Sequence, residues 1–255
     1  MTVRRDAIFD SAQRATLERD VYGTTMGAVR LHVLWQDLLD AIPTLASGSM
    51  RIIDIGAGMG QIAQRIAALG HDVTVCDPSP EMLDRARTAL HESGVSSLRF
   101  LESTVQELRA NVEGKFDLVM CHAVLEWLAE PQEAINCMAP LLEPQGYLSL
   151  MFYNRNAAIL KRAIRGDVDA ALTPDTKREP PWPLDPELVR SWIDAAGLEV
   201  TSKAGIRIFH DHIPEEVRSA AKLDELLELE AAYRRHEPFA SLGQHVHFIC
   251  KQKYS

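Results

Sequence analysis

Cysteine is sparse in this 255-residue chain, with four residues at positions 76, 121, 137 and 250 and no C-x-x-C pair. That scatter disfavours a zinc ribbon and a thioredoxin-type redox site. Cys76 and Cys121 lie inside apolar runs and read as buried thiols of a reducing compartment. Long hydrophobic runs are absent: nothing approaches the ~18 apolar residues of a membrane span. The stretch from Met1 to Gln13 is polar and lacks the apolar centre of an export signal, so a cytoplasmic location is expected. Positive charge is in deficit, 27 Lys and Arg against 36 Asp and Glu, for a net charge of −9. A protein that coats DNA or an anionic membrane is usually basic, so both are disfavoured as partners and any basic surface must be local. Glycine (14) and proline (13) are too few for a fibrous or low-complexity chain. What remains, 46% hydrophobic and 25% charged residues, is the composition of a globular protein.

The order of apolar patterns predicts an α/β fold. Asp6 to Arg19 reads as a helix, and Gly27 to Ala41 as a second one with Val29, Val33, Leu34 and Leu38 on one face. Short apolar or β-branched runs predict strands at 51–55, 72–77, 98–101, 116–121 and 146–153. Helices at 61–68, from Pro80 to near Gly94, and at 131–142 separate them. Ser79-Pro80 supplies an N-cap and a first-turn proline. Beyond a long connection at 165–185, a helix at 186–196 ends at Gly197. A strand at 198–209, an acidic helix at 215–235 and a last strand at 244–251 follow. Strands alternating with crossover helices predict a Rossmann-like, mostly parallel seven-stranded sheet with helices on both faces and an antiparallel C-terminal strand. Residues 1–255 read as one domain, with an N-terminal helical cap over 1–45 and a loop or insert over 155–185 near the substrate.

The sharpest motif is Asp54-Ile55-Gly56-Ala57-Gly58-Met59-Gly60, between the first strand and its helix. Glycines let a backbone pass close to a ligand. Asp77 ends the second strand about twenty residues after Gly56, where a carboxylate can accept both hydroxyls of an adenosine ribose. In a dinucleotide fingerprint, G-x-G-x-x-G, the third glycine would fall where Gln61 stands. Asp54 would repel a pyrophosphate, yet it suits the cationic amino-acid end of S-adenosylmethionine. S-adenosylmethionine is therefore favoured over NAD.

Downstream come Phe116-Asp117-Leu118-Val119, His122-Ala123-Val124-Leu125-Glu126-Trp127-Leu128, Pro131 and Leu141-Leu142-Glu143-Pro144-Gln145-Gly146. From about Ile52 to Leu150 this succession resembles the Rossmann-like S-adenosylmethionine-dependent methyltransferases. It departs from them in having Gln145 in the usual proline-glycine turn. Further stretches narrow the likeness: Tyr22-Gly23-Thr24-Thr25-Met26-Gly27 with Arg30, Leu34-Trp35-Gln36-Asp37-Leu38, Leu148 to Asn154, Gly205 to Asp211 and Leu226 to Glu230. Together these resemble the bacterial tRNA 5-carboxymethoxyuridine methyltransferase family, over roughly Val21 to Gln252. The resemblance implies methylation of the terminal carboxylate of 5-carboxymethoxyuridine at the tRNA wobble position, giving the methyl ester 5-methoxycarbonylmethoxyuridine. S-adenosylhomocysteine would be the second product. It further implies that Arg30, Gly56, Ala57, Asp77, Val105, Gln106 and His122 contact S-adenosylmethionine; Asp54 and Gly58 join them from the motif itself.

A carboxylate nucleophile has an ordinary pKa of about 4 and is ionised at neutral pH, so no strong general base is required. Alignment should carry the catalysis, and no catalytic triad is expected. Tyr153, Asn154, Arg207 and His210, at the ends of expected strands, are candidates to hold the substrate carboxylate. Lys161, Arg162, Arg165, Lys177 and Arg178 are candidates for RNA contact, and Trp182 for stacking on a base. The acidic helix through Asp224, Glu228 and Glu230 should face away from RNA. His210, His212, His245 and His247 lack a convergent third ligand, so no metal is expected. A methyltransferase of a small carboxylate or other metabolite, an NAD oxidoreductase and a cofactor-binding module without turnover are the competing readings.

Overall fold

The computed structural model describes residue 6 and residues 23–92, 98–174, 180–220 and 222–253. The helix expected over Asp6 to Arg19, the Gly94 stop, Lys177 and Arg178 lie outside that set, apart from Asp6 itself. Helix α1 (Thr25–Ala41) opens with Thr24, whose side chain accepts from the Gly27 N–H, and a 3-10 turn (Pro43–Ala46) follows. The alternating middle comprises β1 (Arg51–Ile55), α2 (Gln61–Ala67), β2 (Asp72–Asp77), α3 (Pro80–Glu92), β3 (Leu98–Glu102), the short α4 (Leu108–Asn111), β4 (Phe116–His122), α5 (Pro131–Met138) and β5 (Leu142–Tyr153). Then come α6 (Arg155–Ile164), α7 (Val168–Leu172), α8 (Pro186–Ala195), β6 (Leu198–Ile206), α9 (Glu215–Ala220), α10 (Leu223–Tyr233) and β7 (His245–Gln252).

The seven strands form one sheet in the order β3-β2-β1-β4-β5-β7-β6. β1 to β5 pair in parallel, and β7 inserts between β5 and β6, antiparallel to both. Alternate residues of each strand feed opposite layers, as the two-residue period of a strand requires. Ile53, Val119, Leu148, Phe152 and Phe248 face α5 and α8. Ile52, Leu118, Met120 and Ile249 face α1 and α2, where the stripe Val29, Val33, Leu34, Leu38 is buried as expected. Among the described residues no helix is long and apolar enough to cross a membrane.

Several expected boundaries move. The helix at 131–142 stops at Met138, because Pro140 sits in a 3-10 turn before β5 begins at Leu142. The strand at 198–209 stops at Ile206, because Arg207 takes a left-handed backbone with φ 62°. The helix at 215–235 is two helices, α9 and α10. Part of the 155–185 insert is helical, as α6 and α7, with α7 capped by Asp167.

Phe152 is fully buried, edge-on to Phe248 at 5.5 Å. Phe152→Ala is expected to lower unfolding free energy by about 3–5 kcal/mol, read as a shift of the urea midpoint with little change in slope.

Candidate active site

The strand order reverses at β1, which has β2 on one side and β4 on the other, and in such sheets the crevice at the carboxyl ends is the ligand site. Here that crevice is a cleft of ≈ 560 Å³. Its walls include every residue expected to touch the cofactor: Arg30, Asp54, Gly56, Ala57, Gly58, Asp77, Val105, Gln106 and His122. The floor is the glycine loop after β1. Gly56 has φ +65°, and a Cβ there would lie 2.3 Å from Val124 Cγ2, so the loop closes on the β4 turn only with glycine. Asp77 fastens this loop to the next helix: its Oδ2 accepts from Gly58 N–H (3.1 Å) and its Oδ1 from Ser79 N–H (2.9 Å). A carboxylate oxygen can accept more than one donor, so the same group can also receive ribose hydroxyls.

Two other carboxyls line the cleft with raised pKa. Burial, with the Asp77 charge adding to it, pushes Asp54 up to about 7. Burial does the same to Glu126, also to about 7, although backbone N–H groups and the Arg30 charge pull it back. Glu126 Oε2 has no hydrogen-bond partner among the described residues. Asp54, 4% exposed, has no side-chain hydrogen bond among them. A carboxyl in that state fits a cationic ligand, which would restore its ionised form. The glycine cradle, Asp77 and Asp54 together fit S-adenosylmethionine.

His122 is oriented by a line of hydrogen bonds along the face of the sheet that α1 covers. Its Nε2 lies 2.8 Å from Ser149 Oγ, which is 2.8 Å from His247 Nε2. His247 Nδ1 is 2.7 Å from Asp37 Oδ2, and Arg235 Nε donates to Asp37 Oδ1 at 2.6 Å. In the neutral tautomer that lets His247 donate to Asp37, its Nε2 accepts from the Ser149 hydroxyl. The Ser149 oxygen then accepts from His122 Nε2–H, and His122 Nδ1 is left as an acceptor. Burial, then His247 and Arg30, hold His122 well below the usual histidine range.

Of the residues expected to hold a substrate carboxylate, Tyr153 and Arg207 line the cleft. Asn154 does not. It is fully buried, caps α6 by accepting from Asn156 N–H, and donates to the Ser241 and Gly243 carbonyls, so its amide is consumed by the fold. His210 is buried in the wall of an adjoining cleft, beside Asp211. Among the RNA candidates, Arg162 is spent on the Ala170 and Pro174 carbonyls. Trp182, 3% exposed, is packed inside and presents no face to a base. Lys161 does line the cleft. Glu230 is also not on a solvated face: it is buried and accepts from the N–H groups of Ile208 (2.6 Å), Phe209 (3.0 Å) and His210 (2.7 Å). Sequence reasoning missed Glu126, Gln244 and His245 as cleft residues. Glu126 lay inside a quoted motif and His245 was weighed only as a metal ligand, while Gln244 carried no local signal. Among the described residues no three metal-ligating side chains converge.

A family model described as a methyltransferase domain matches residues 53–150. The tRNA 5-carboxymethoxyuridine methyltransferase of Escherichia coli strain K12 is 37% identical over 243 residues, 93% of each chain. The chain belongs to that methyltransferase family. It is an S-adenosylmethionine-dependent methyltransferase. A ubiquinone biosynthesis O-methyltransferase of Xanthomonas euvesicatoria pv. vesicatoria is 33% identical over 69% of this methyltransferase and 74% of its own length. In fold, the methyltransferase is similar to magnesium protoporphyrin IX methyltransferase from Synechocystis PCC 6803 with bound SAH. The TM-score is 0.62 and the identity 16%, covering 97% of this chain and 90% of that one. The plantazolicin methyltransferase BamL, in complex with SAH, gives a TM-score of 0.61 at 14% identity, over 95% and 91%.

If the cofactor ammonium rests against Asp54, binding must release a proton near pH 7. Below a free-state pKa of about 7 the carboxyl is neutral and attracts the cation less. Affinity should therefore rise from about pH 6 to about pH 8 and then level off. Calorimetry across that range should show the rise; a flat profile removes Asp54 from the cation's side. Asp54→Asn is expected to bind more weakly above pH 7 and to lose its share of the slope. Arg30→Ala should weaken cofactor binding by about 1.5–3 kcal/mol if Arg30 pairs with the cofactor carboxylate, with unchanged calorimetric affinity refuting the pairing.

Proposed function

We propose that the protein transfers the methyl group of S-adenosylmethionine to the carboxylate of 5-carboxymethoxyuridine at the wobble position of tRNA, forming the methyl ester. The observation that carries this reading is identity to a family member of that name along 93% of both chains, outside the cofactor core as well as within it. A second support is the cleft itself. Beyond the residues suited to the cofactor it continues to Tyr153, Lys161, Arg207 and Gln244, which offer donors for an anionic group.

S-adenosylmethionine, when bound, supplies an electrophilic methyl on a sulfonium. In this reading Asp77 receives the ribose hydroxyls, Val105 and Gln106 flank the adenine, and Arg30 and Asp54 hold the two ends of the amino-acid portion. His122, fixed by Ser149, presents a neutral imidazole to the same cleft. Arg207 and Tyr153 hold the substrate carboxylate. Burial raises the Tyr153 phenol above its ordinary value, so it stays protonated and can donate. The nucleophile needs no proton removed, and the residues act by orientation and by exclusion of water. The Arg207 guanidinium is oriented before any substrate arrives, because its Nη2 donates to both carboxylate oxygens of Asp211 and Glu230 fastens the turn that follows it.

The test is tRNA carrying unmethylated 5-carboxymethoxyuridine, incubated with S-adenosylmethionine and read by nucleoside mass spectrometry. One added methyl on that nucleoside, lost on mild alkaline treatment, is the expected result. Cofactor binding with no RNA product would instead favour a small carboxylate substrate. Arg207→Lys keeps a cation for Asp211 but loses the planar fork. It is expected to lower kcat/KM for tRNA by roughly 10- to 100-fold, a loss of about 1.5–3 kcal/mol, with cofactor affinity little changed. Equal losses in both would remove Arg207 from the substrate side.

A further inference from the structure

Beside the cofactor cleft lies a second one of ≈ 600 Å³, and the two share Met26, Lys161 and Arg207 as common walls. In a chain of net charge −9, this second cleft gathers Lys161, Arg165, Arg207 and Arg218 against only Asp211 and Glu215. The Asp211 carboxylate is already satisfied: Arg207 donates to Oδ2 at 2.5 Å, Lys161 Nζ is 3.4 Å from the same oxygen, and His210 Nδ1 is 2.9 Å from Oδ1. Its three cationic or donor neighbours therefore keep donor capacity that Asp211 does not use.

Two buried polar atoms in this wall have no partner among the described residues: His210 Nε2, on a side chain 3% exposed overall, and Arg207 Nε, on one 7% exposed. Buried polar groups are ordinarily paired, so both mark this wall as incompletely satisfied. The start of α1 also lines this cleft; its Gly27 N–H is taken by the Thr24 side chain, while the N–H groups before it have no intrahelical acceptor. Arg218 donates to the His210 carbonyl at 3.2 Å and so is fixed at the wall, whereas Arg165 is exposed at the end of α6.

We propose that this second cleft is a phosphodiester site, holding the RNA backbone next to the nucleoside whose base enters the cofactor cleft. The proposal rests on the tRNA reading above and adds a site to it. Its chemistry is that of an anion with several acceptor oxygens: planar guanidinium forks, an ammonium and helix N–H groups converge, as phosphate recognition requires. Its location gives the reason for RNA over a free base. A nucleotide delivering its base past Arg207 carries a phosphate on either side, and the adjoining cleft shares Lys161 and Arg207 with the first. A substrate with no phosphate would leave this excess of cations unused.

The experiment compares three substrates with the full-length protein: an anticodon stem-loop carrying 5-carboxymethoxyuridine, the same stem-loop with a methylphosphonate at one phosphodiester flanking that residue, and the free nucleoside. The variant is Arg165→Ala, a change at an exposed position that the fold does not use. For the stem-loop, Arg165→Ala is expected to raise KM about tenfold. It should also lower the slope of log KM against log salt by about 0.7, one single-strand phosphate contact. Cofactor affinity and methylation of the free nucleoside stay at wild-type values. The methylphosphonate raises KM for the wild type and has little further effect on the variant. Wild-type activity on the stem-loop, with the variant unchanged or equally impaired on the nucleoside, overturns the phosphodiester site and leaves the tRNA reading standing. A wild type that methylates the nucleoside but not the stem-loop overturns both.

Discussion

A carboxylate taken out of water must be given donors or a cation, or it takes up a proton. This chain buries several, and the way each is satisfied organises the molecule. Glu230 receives three backbone N–H groups and thereby fixes the turn after Arg207. Asp77 receives the N–H groups of Gly58 and Ser79 and ties the glycine loop to α3. Asp37 receives His247 and Arg235, which keeps it below the ordinary carboxylate range despite burial. Asp54 receives none among the described residues, and its pKa climbs accordingly. The three satisfied acids build the scaffold. The acids left short of donors, Asp54 and Glu126, both line the cleft, and that contrast marks where a ligand completes the structure.

The same rule explains how far the sequence could be read. β1, β2, β4 and β5 were legible because parallel strands buried on both faces leave continuous apolar runs. The glycine loop and Asp77 were legible because their chemistry is local: a left-handed turn at Gly56 and an acid at the end of the next strand. The nine residues expected at the cofactor all line the cleft, Arg30, Val105, Gln106 and His122 among them on the strength of the family resemblance and not of a local motif. Asn154 and His210 were misplaced because a strand end fixes a backbone position and says nothing of what a side chain finds there. Asn154 finds two carbonyls 87 and 89 residues away. Glu230 reads as one more acid on an acidic helix until the fold brings it beneath residues 208–210. Trp182 failed as a stacking surface for a related reason: a large aromatic in a proline-rich stretch can equally be the residue that anchors that stretch to the core.

Arg207 shows how one residue can belong to two clefts. Its left-handed backbone ends β6 and turns the chain, Asp211 holds the guanidinium plane, and the side chain forms part of the wall on both sides. A fixed fork between neighbouring cavities gives them a common reference, so that an anion in one is positioned relative to an anion in the other. This arrangement suits a polymer substrate better than a detached metabolite, and it does so in a protein whose overall charge repels nucleic acid.

The line from Arg235 through Asp37, His247 and Ser149 to His122 runs along one face of the sheet, the face that α1 covers, joining residues up to 210 positions apart. Along such a line the direction of each hydrogen bond is dictated by the one before it. Loss of Ser149 or His247 leaves the next group toward the cleft without its partner, whereas loss of Arg235 leaves Asp37 still accepting from His247. The hydrogen-bonding direction of His122 in the cleft is thus set by a carboxylate on α1 with two side chains between them.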